Sequence, residues 1–172
     1  MSCVVCEKKA IEHIDFCRSC LMKTIEKRTR KEISKNSVRN AKILVVNDGN
    51  CNGEVNAYLI KKIVTITDKI NYAKKMRNNK DYDFISVSDT ADDEANRFLE
   101  FMLNSSKEKS PKKIIKLLKK SLSSEVFAYA EIKRIKYSKK TKSSEISLLD
   151  KLEEQYKGSK QGLSKASEKL EW

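Results

Sequence analysis

Lys42-Ile43-Leu44-Val45-Val46-Asn47-Asp48-Gly49-Asn50-Cys51-Asn52-Gly53-Glu54-Val55-Asn56-Ala57-Tyr58-Leu59-Ile60 is the stretch that decides the fold. Ile43–Val46 is a short apolar run rich in β-branched residues, the habit of a strand buried inside a parallel sheet. A polar turn follows, and Val55, Leu59 and Ile63 then recur at the i, i+4 period of an amphipathic helix. In α/β proteins a strand, turn and helix in this order often bind phosphate, because free backbone N–H groups and the positive end of the helix dipole face the ligand. This turn is poorly furnished for that task. Gly49 is its central glycine, it has no hydroxyl and no lysine, and Cys51 stands where a phosphate-and-metal site wants an aspartate.

Downstream, Val64-Thr65-Ile66 reads as a weak strand or a helix end, and the spacing of Ile70, Tyr72, Ala73 and Met76 predicts a helix. Asp83–Ser88 partly alternates and predicts a strand. It runs into Asp89-Thr90-Ala91-Asp92-Asp93-Glu94, an acidic helix start with Thr90 as the N-cap. Ala95, Phe98, Leu99 and Met102 supply that helix's buried face. Strands alternating with helices imply a parallel sheet flanked by helices. The turns after Val46 and Val87 then lie at the carboxyl ends of their strands, where such sheets hold ligands. Beyond a polar loop with the sole proline, Pro111, the run Ile114-Ile115-x-Leu117-Leu118 looks helical. A further helix starts at Ser123-Ser124-Glu125, capped by Ser123 or Ser124. Lys136–Lys142 is a basic loop. Ile146, Leu149 and Leu152 begin a helix that Gly158 ends, and a last helix spans roughly 163–170.

Upstream, Cys3-x2-Cys6 and Cys17-x2-Cys20 are two CxxC knuckles. This spacing brings four thiolates to one tetrahedral metal and predicts a structural zinc site with no open position. The compact knuckles favour a single ion over an iron–sulfur cluster. Four cysteines complete a tetrahedron, so His13, between the knuckles, is a surface residue. The second knuckle leads into a helix with Leu21 and Ile25 on one face and Arg28, Arg30 and Lys31 on another.

The chain has 172 residues, with 37 Lys and Arg against 24 Asp and Glu and a formal charge of +13. Residues 1–42 hold 11 basic and 5 acidic residues, and residues 107–142 hold 13 and 3. The whole excess sits in these two blocks, which suit a polyanion. A chain with 4 Gly and 1 Pro is neither all-β nor low in complexity. With no signal-peptide-like start and no membrane-spanning run, a cytoplasmic protein with reduced thiols is expected.

In this order the pieces resemble the cytosolic tRNA 2-thiolation proteins of the PP-loop ATP pyrophosphatase superfamily. The double CxxC finger is matched by Cys3, Cys6, Cys17 and Cys20. The family's strand entering a Gly-His-Asn-x-Asp-Asp-x-Ala helix is similar to Val87–Ala95, its Glu-Val-x-x-Tyr-Ala helix to Glu125–Ala130, and its Ser-x-Lys-Leu segment to Ser167–Leu170. Against its Ser-Gly-Gly-x-Asp-Ser loop stand Asn47, Asp48, Gly49, Asn50, Cys51 and Asn52, of which Gly49 alone matches. Active members also carry cysteines in the catalytic domain, where this chain has only Cys51.

The resemblance therefore implies an adenine nucleotide alpha hydrolase-like fold with a finger and basic helix (1–36), a degenerate PP-loop α/β domain (37–135) and a helical tail packed on it (136–172). It implies a non-catalytic tRNA-binding subunit that pairs with a catalytic paralogue to make wobble 2-thiouridine. Structural zinc is expected, and ATP and an iron–sulfur cluster are not. The expected tRNA contacts are Arg28, Arg30, Lys31, Lys112, Lys113, Lys116, Lys139 and Lys140. Two alternatives stay open: a stand-alone zinc-dependent RNA-binding or interaction module, and a diverged thiolase using Cys51, whose thiol a helix N-terminus would acidify.

Overall fold

The computed structural model describes residues 2–38, 41–64, 69–75, 81–104, 114–138 and 148–170. Helix α1 (Arg18–Lys35) leaves the second knuckle; β1 (Ile43–Val46), α2 (Cys51–Ile63), β2 (Ile70–Ala73), β3 (Phe84–Val87), α3 (Ala91–Asn104), β4 (Ile114–Lys116), α4 (Ser123–Lys133), α5 (Leu148–Gln155) and α6 (Ser159–Leu170) follow. The four strands form one sheet in the order β2-β1-β3-β4, and every pairing is parallel. Ile43 lies beside Ile70 on one side and Phe84 on the other. The strand order reverses between β1 and β3, so the crevice at their carboxyl ends, between the turns after Val46 and Val87, is the natural ligand position.

Alternation along the strands splits the core. Ile43, Val45 and Ile115 face α2, where they pack with Ala57, Ile60, Val64, Ile33, Val38 and Leu117. Behind this layer, Leu21 and Ile25 of α1, Val55 and Leu59 of α2, and Val126, Tyr129 and Ala130 of α4 form a second cluster with Leu118 and Ile14. Leu44 and Ile85 point the other way and are buried there, as are Ala95 and Phe98 of α3. Helix α6 packs on α3, and α5 on α6, across the sheet from α1. A buried hydrogen bond joins Asn56 Nδ2 to Ser86 Oγ at 3.1 Å and pins α2 to β3 beneath the crevice.

Three expectations change. Residues 70–73 are an edge strand and not a helix: Asn71 and Tyr72 are exposed, and among the described residues only one side of the ribbon pairs. Ile114–Lys116 is a strand, and Leu117 and Leu118 sit in the turn that follows. Helix α4 is capped at Leu122, one residue before the expected serines; Glu125 accepts the Leu122 N–H at 3.0 Å. Thr90 precedes α3 as expected, with the hydrogen bonding supplied by Asp93: the Thr90 N–H and hydroxyl both donate to Asp93 Oδ2 at 2.7 Å.

Candidate functional site

The N-terminal module is folded by its own backbone. Cys3 N–H donates to the Lys8 carbonyl at 2.7 Å, and Ser2 bridges Lys9. The chain turns tightly after the first knuckle and again before the second, with positive φ at Glu7 and His13. The result gathers Cys3, Cys6, Cys17 and Cys20, whose Sγ atoms all lie within 4.8 Å of one another. Three of the four are buried and Cys6 is exposed. His13 is outside the group, with its side chain 89% exposed. Phe16 packs against both the cysteine cluster and the core shared by α1, α2 and α4, which couples the module to the rest of the fold.

Four thiols this close cannot all ionise without a cation. Burial opposes ionisation of Cys3, but hydrogen bonds from Cys17 and its neighbours outweigh it and hold that thiol at about 6. Hydrogen bonding with Cys6, and then burial, pushes Cys20 up to about 12. The donor set is therefore one that a thiolate-seeking metal completes.

The turn after β1 is held by its own side chains. Asn47 Oδ1 accepts the Gly49 N–H at 2.9 Å, Asp48 Oδ1 the Asn50 N–H at 3.1 Å, and Asn50 Oδ1 the Gly53 N–H at 2.7 Å. Backbone donors that such a turn presents to an anion are thus taken by three Asx oxygens. Gly53 lets Asn47 approach: a Cβ there would stand 2.6 Å from Asn47 Oδ1. Gly49 has φ +83°, and its carbonyl accepts from both the N–H and the hydroxyl of Ser138, at 2.8 and 2.7 Å. Residues 135–138 therefore form a strap over the turn.

Cys51 opens α2 beneath this strap. The expectation that the helix dipole acidifies it does not hold. Burial, and then the negative charge of Glu131, push its thiol up to about 11. Only about one hundredth as much thiolate is then present at pH 7 as for a thiol at its ordinary 9.0. Alkylation of Cys51 at pH 7, followed by peptide mass spectrometry, is expected to be about a hundredfold slower than that of an unperturbed thiol. Modification at the unperturbed rate would show that the dipole prevails.

On the other side of the crevice the charged groups are paired. Asp89 meets Arg97, Lys116 Nζ lies 2.8 Å from Glu94, and Lys160 Nζ bridges Asp92 and Asp150 at 2.6 and 2.7 Å. Asp92 also accepts the Ser123 N–H at 2.6 Å, so it fastens the start of α4 to α6. Burial works against the Lys160 charge, but the two carboxylates outweigh it and raise its pKa. Of the two aspartates that the sequence singles out, Asp92 thus holds helices together, while Asp93 binds Thr90 at the start of its own helix.

Of the expected nucleic-acid contacts, four are described, and two of these are engaged by buried carboxylates. Arg28 Nη1 binds Glu125 at 2.6 Å, and Lys116 is committed to Glu94. Arg30 lies on the surface beside Glu26, and Lys31 is exposed. Lys112, Lys113, Lys139 and Lys140 lie outside the described residues. The pairing of Arg28 has no signal in the sequence, because its partner is 97 positions away. Between the finger and α4 lies an apolar groove of about 400 Å³ whose lining includes Ile11, Ile14, Phe127, Ala128 and Ile132; nothing in the sequence marks it. No helix among the described residues is long and apolar enough to cross a membrane.

No family model matches the sequence, and no curated protein does. Among solved structures, the chain is similar to the U34-tRNA thiolase NcsA from Methanococcus maripaludis, a structure that includes its 4Fe-4S cluster. The TM-score is 0.74 at 19% identity, covering 99% of this chain and 87% of that one. The likeness shows the fold: a parallel sheet with flanking helices, an N-terminal four-cysteine cluster and a helical C-terminal part. It also overturns the expectation of structural zinc with iron–sulfur excluded. A protein of this fold carries a 4Fe-4S cluster, and four cysteine thiolates are a donor set for such a cluster as well as for a single ion.

Proposed function

We propose that this chain is a non-catalytic, tRNA-binding subunit of a tRNA wobble-uridine 2-thiolation complex, acting beside a catalytic PP-loop paralogue. The fold likeness to a U34-tRNA thiolase supports the tRNA thiolation role. The observation that carries the non-catalytic part is the turn after β1. Its amides are engaged by Asn47, Asp48 and Asn50, and the strap at Ser138 lies over it. Cys51, the one thiol outside the finger, is held protonated and so lacks the thiolate that sulfur transfer needs. What remains is a basic scaffold and a metal centre held by Cys3, Cys6, Cys17 and Cys20, with an iron–sulfur cluster among its candidate occupants. A bound centre would fix the knuckles against α1; the chain's own part is to gather the thiols and orient the finger.

The test is reconstitution. The isolated chain is expected to bind tRNA, with affinity falling steeply as salt rises, and to leave its uridines unthiolated. With the catalytic paralogue, thiouridine formation is expected to depend on both proteins. Thiolation by the isolated chain, read as thiouridine content by mass spectrometry, overturns the proposal, as does the absence of tRNA binding.

A further inference from the structure

Helix α1 carries Lys23, Lys27, Lys31 and Lys35, one per turn, and all four are exposed. At 1.5 Å per residue they form a line about 18 Å long with a charge roughly every 6 Å. The two carboxylates of the helix are turned away from it. Glu32 is 3% exposed and lies between Lys119 and Lys120, at 3.5 and 3.0 Å. Glu26 holds Lys62 at 2.5 Å and Arg30 at 3.3 Å, and it accepts the Tyr129 hydroxyl. Among the described residues, none of the four lysines has a carboxylate within ion-pair distance. The inner face of the same helix, with Leu21, Ile25, Thr29 and Ile33, is locked into the core. The charges are therefore borne on a rigid rod.

We infer that this lysine line is the surface that grips the phosphate backbone of the RNA, one lysine to a phosphate. The inference rests on the tRNA-binding reading above. Three observations choose this partner. The exposed large apolar residues, Val4, Val5, Tyr72, Met102, Leu103, Phe127 and Tyr156, are all off α1, so the helix lacks the apolar stripe that a membrane-surface helix inserts. Lysine is depleted in the cores of protein–protein interfaces, whereas this face has little else. Lysine is also a point charge without the planar fork that reads base edges, so the line positions an RNA and carries no sequence information. It sets the finger, at one end of the rod, against the bound strand.

The test compares three full-length, metal-loaded proteins by titrating tRNA across a salt series: the native chain, K23Q/K27Q/K31Q/K35Q, and the control K151Q/K157Q/K165Q on and between α5 and α6. The four-lysine variant is expected to melt like the native chain, because the side chains are exposed. It is expected to lose on the order of 100-fold in affinity at about 0.1 M salt, with the slope of log K against log salt shallower by about 3 to 4. The control keeps the native slope. A native chain that binds no tRNA removes the reading this rests on. A native chain that binds with a steep slope, which the four-lysine variant keeps, overturns the lysine line and leaves that reading standing. Unchanged tRNA binding with loss of assembly onto the catalytic paralogue overturns it in favour of an acidic protein surface.

Discussion

Replacing Cys6 and Cys20 together by Ser is expected to abolish metal binding and unlock the N-terminal module while the sheet stays folded. Two thiolates cannot hold what four gather, and Cys6 makes the Sγ contacts to Cys17 and Cys20, at 3.5 and 3.4 Å. The expected readouts are loss of bound metal, together with new proteolytic cuts within residues 2–17. Leu21 and Ile25 hold α1 in the core independently of the knuckles, so most helical circular dichroism is retained. Loading is also expected to depend on pH. The Cys20 thiol, pushed up to about 12, keeps its proton at neutrality, and a metal must displace it. Apparent affinity therefore rises with pH, about tenfold per unit for each proton released. A double variant that retains native metal content, or loading indifferent to pH, contradicts this account.

Arg28→Ala is expected to destabilise the fold by about 3 kcal/mol, lowering the melting temperature by roughly 6 to 12 °C. Arg28 joins α1 to the start of α4. Its guanidinium lies 2.6 Å from Glu125, whose side chain is 5% exposed, and 5.9 Å from the centre of the Phe16 ring. Removing it strands a buried carboxylate that also caps α4 through the Leu122 N–H. The Arg28 side chain is 24% exposed, so water recovers part of the loss and the figure belongs at the low end of the range for broken buried pairs. Replacing both partners by apolar residues, as in R28M/E125L, is expected to restore part of the stability, the bond from the Leu122 N–H being lost. Lys31→Gln, three positions on and exposed, is expected to change stability by less than about 0.5 kcal/mol. Thermal denaturation decides it: an Arg28→Ala protein as stable as the native chain, with a defect confined to RNA binding, would make Arg28 a phosphate contact.

The sequence is legible where one physical signal dominates. Ile43–Val46, the period of Val55, Leu59 and Ile63, and Thr90 with Asp93 announce their structures because burial or capping depends on neighbours a few residues away. The CxxC pair is readable for the same reason. Residues 70–73 were obscure because an edge strand buries too little to alternate cleanly, and Ile70 and Ala73 mimic a helical i, i+3 pair. The doublets Ile114-Ile115 and Leu117-Leu118 mislead in another way. Ile115 and Leu117 face the sheet-side core, while Leu118 serves the cluster behind it, so one short segment feeds two layers. Charge counting locates the basic blocks, but it cannot separate a solvated lysine such as Lys31 from a committed cation such as Arg28 or Lys116. Their partners, Glu125 and Glu94, are set by tertiary packing. Nor does a count of thiols choose the metal centre.

The order of the strands has a bearing on how the chain comes off the ribosome. Central strand β1 is made first, yet its partners begin 27 and 41 residues later, at Ile70 and Phe84. At about 5 to 20 residues per second, Ile43–Val46 waits on the order of seconds for its first neighbour. The four cysteines all precede it and have emerged before any of the sheet exists. The four-cysteine module can thus be complete while the sheet is still being synthesised, so metal supply during translation bears on the state in which the nascent sheet meets it.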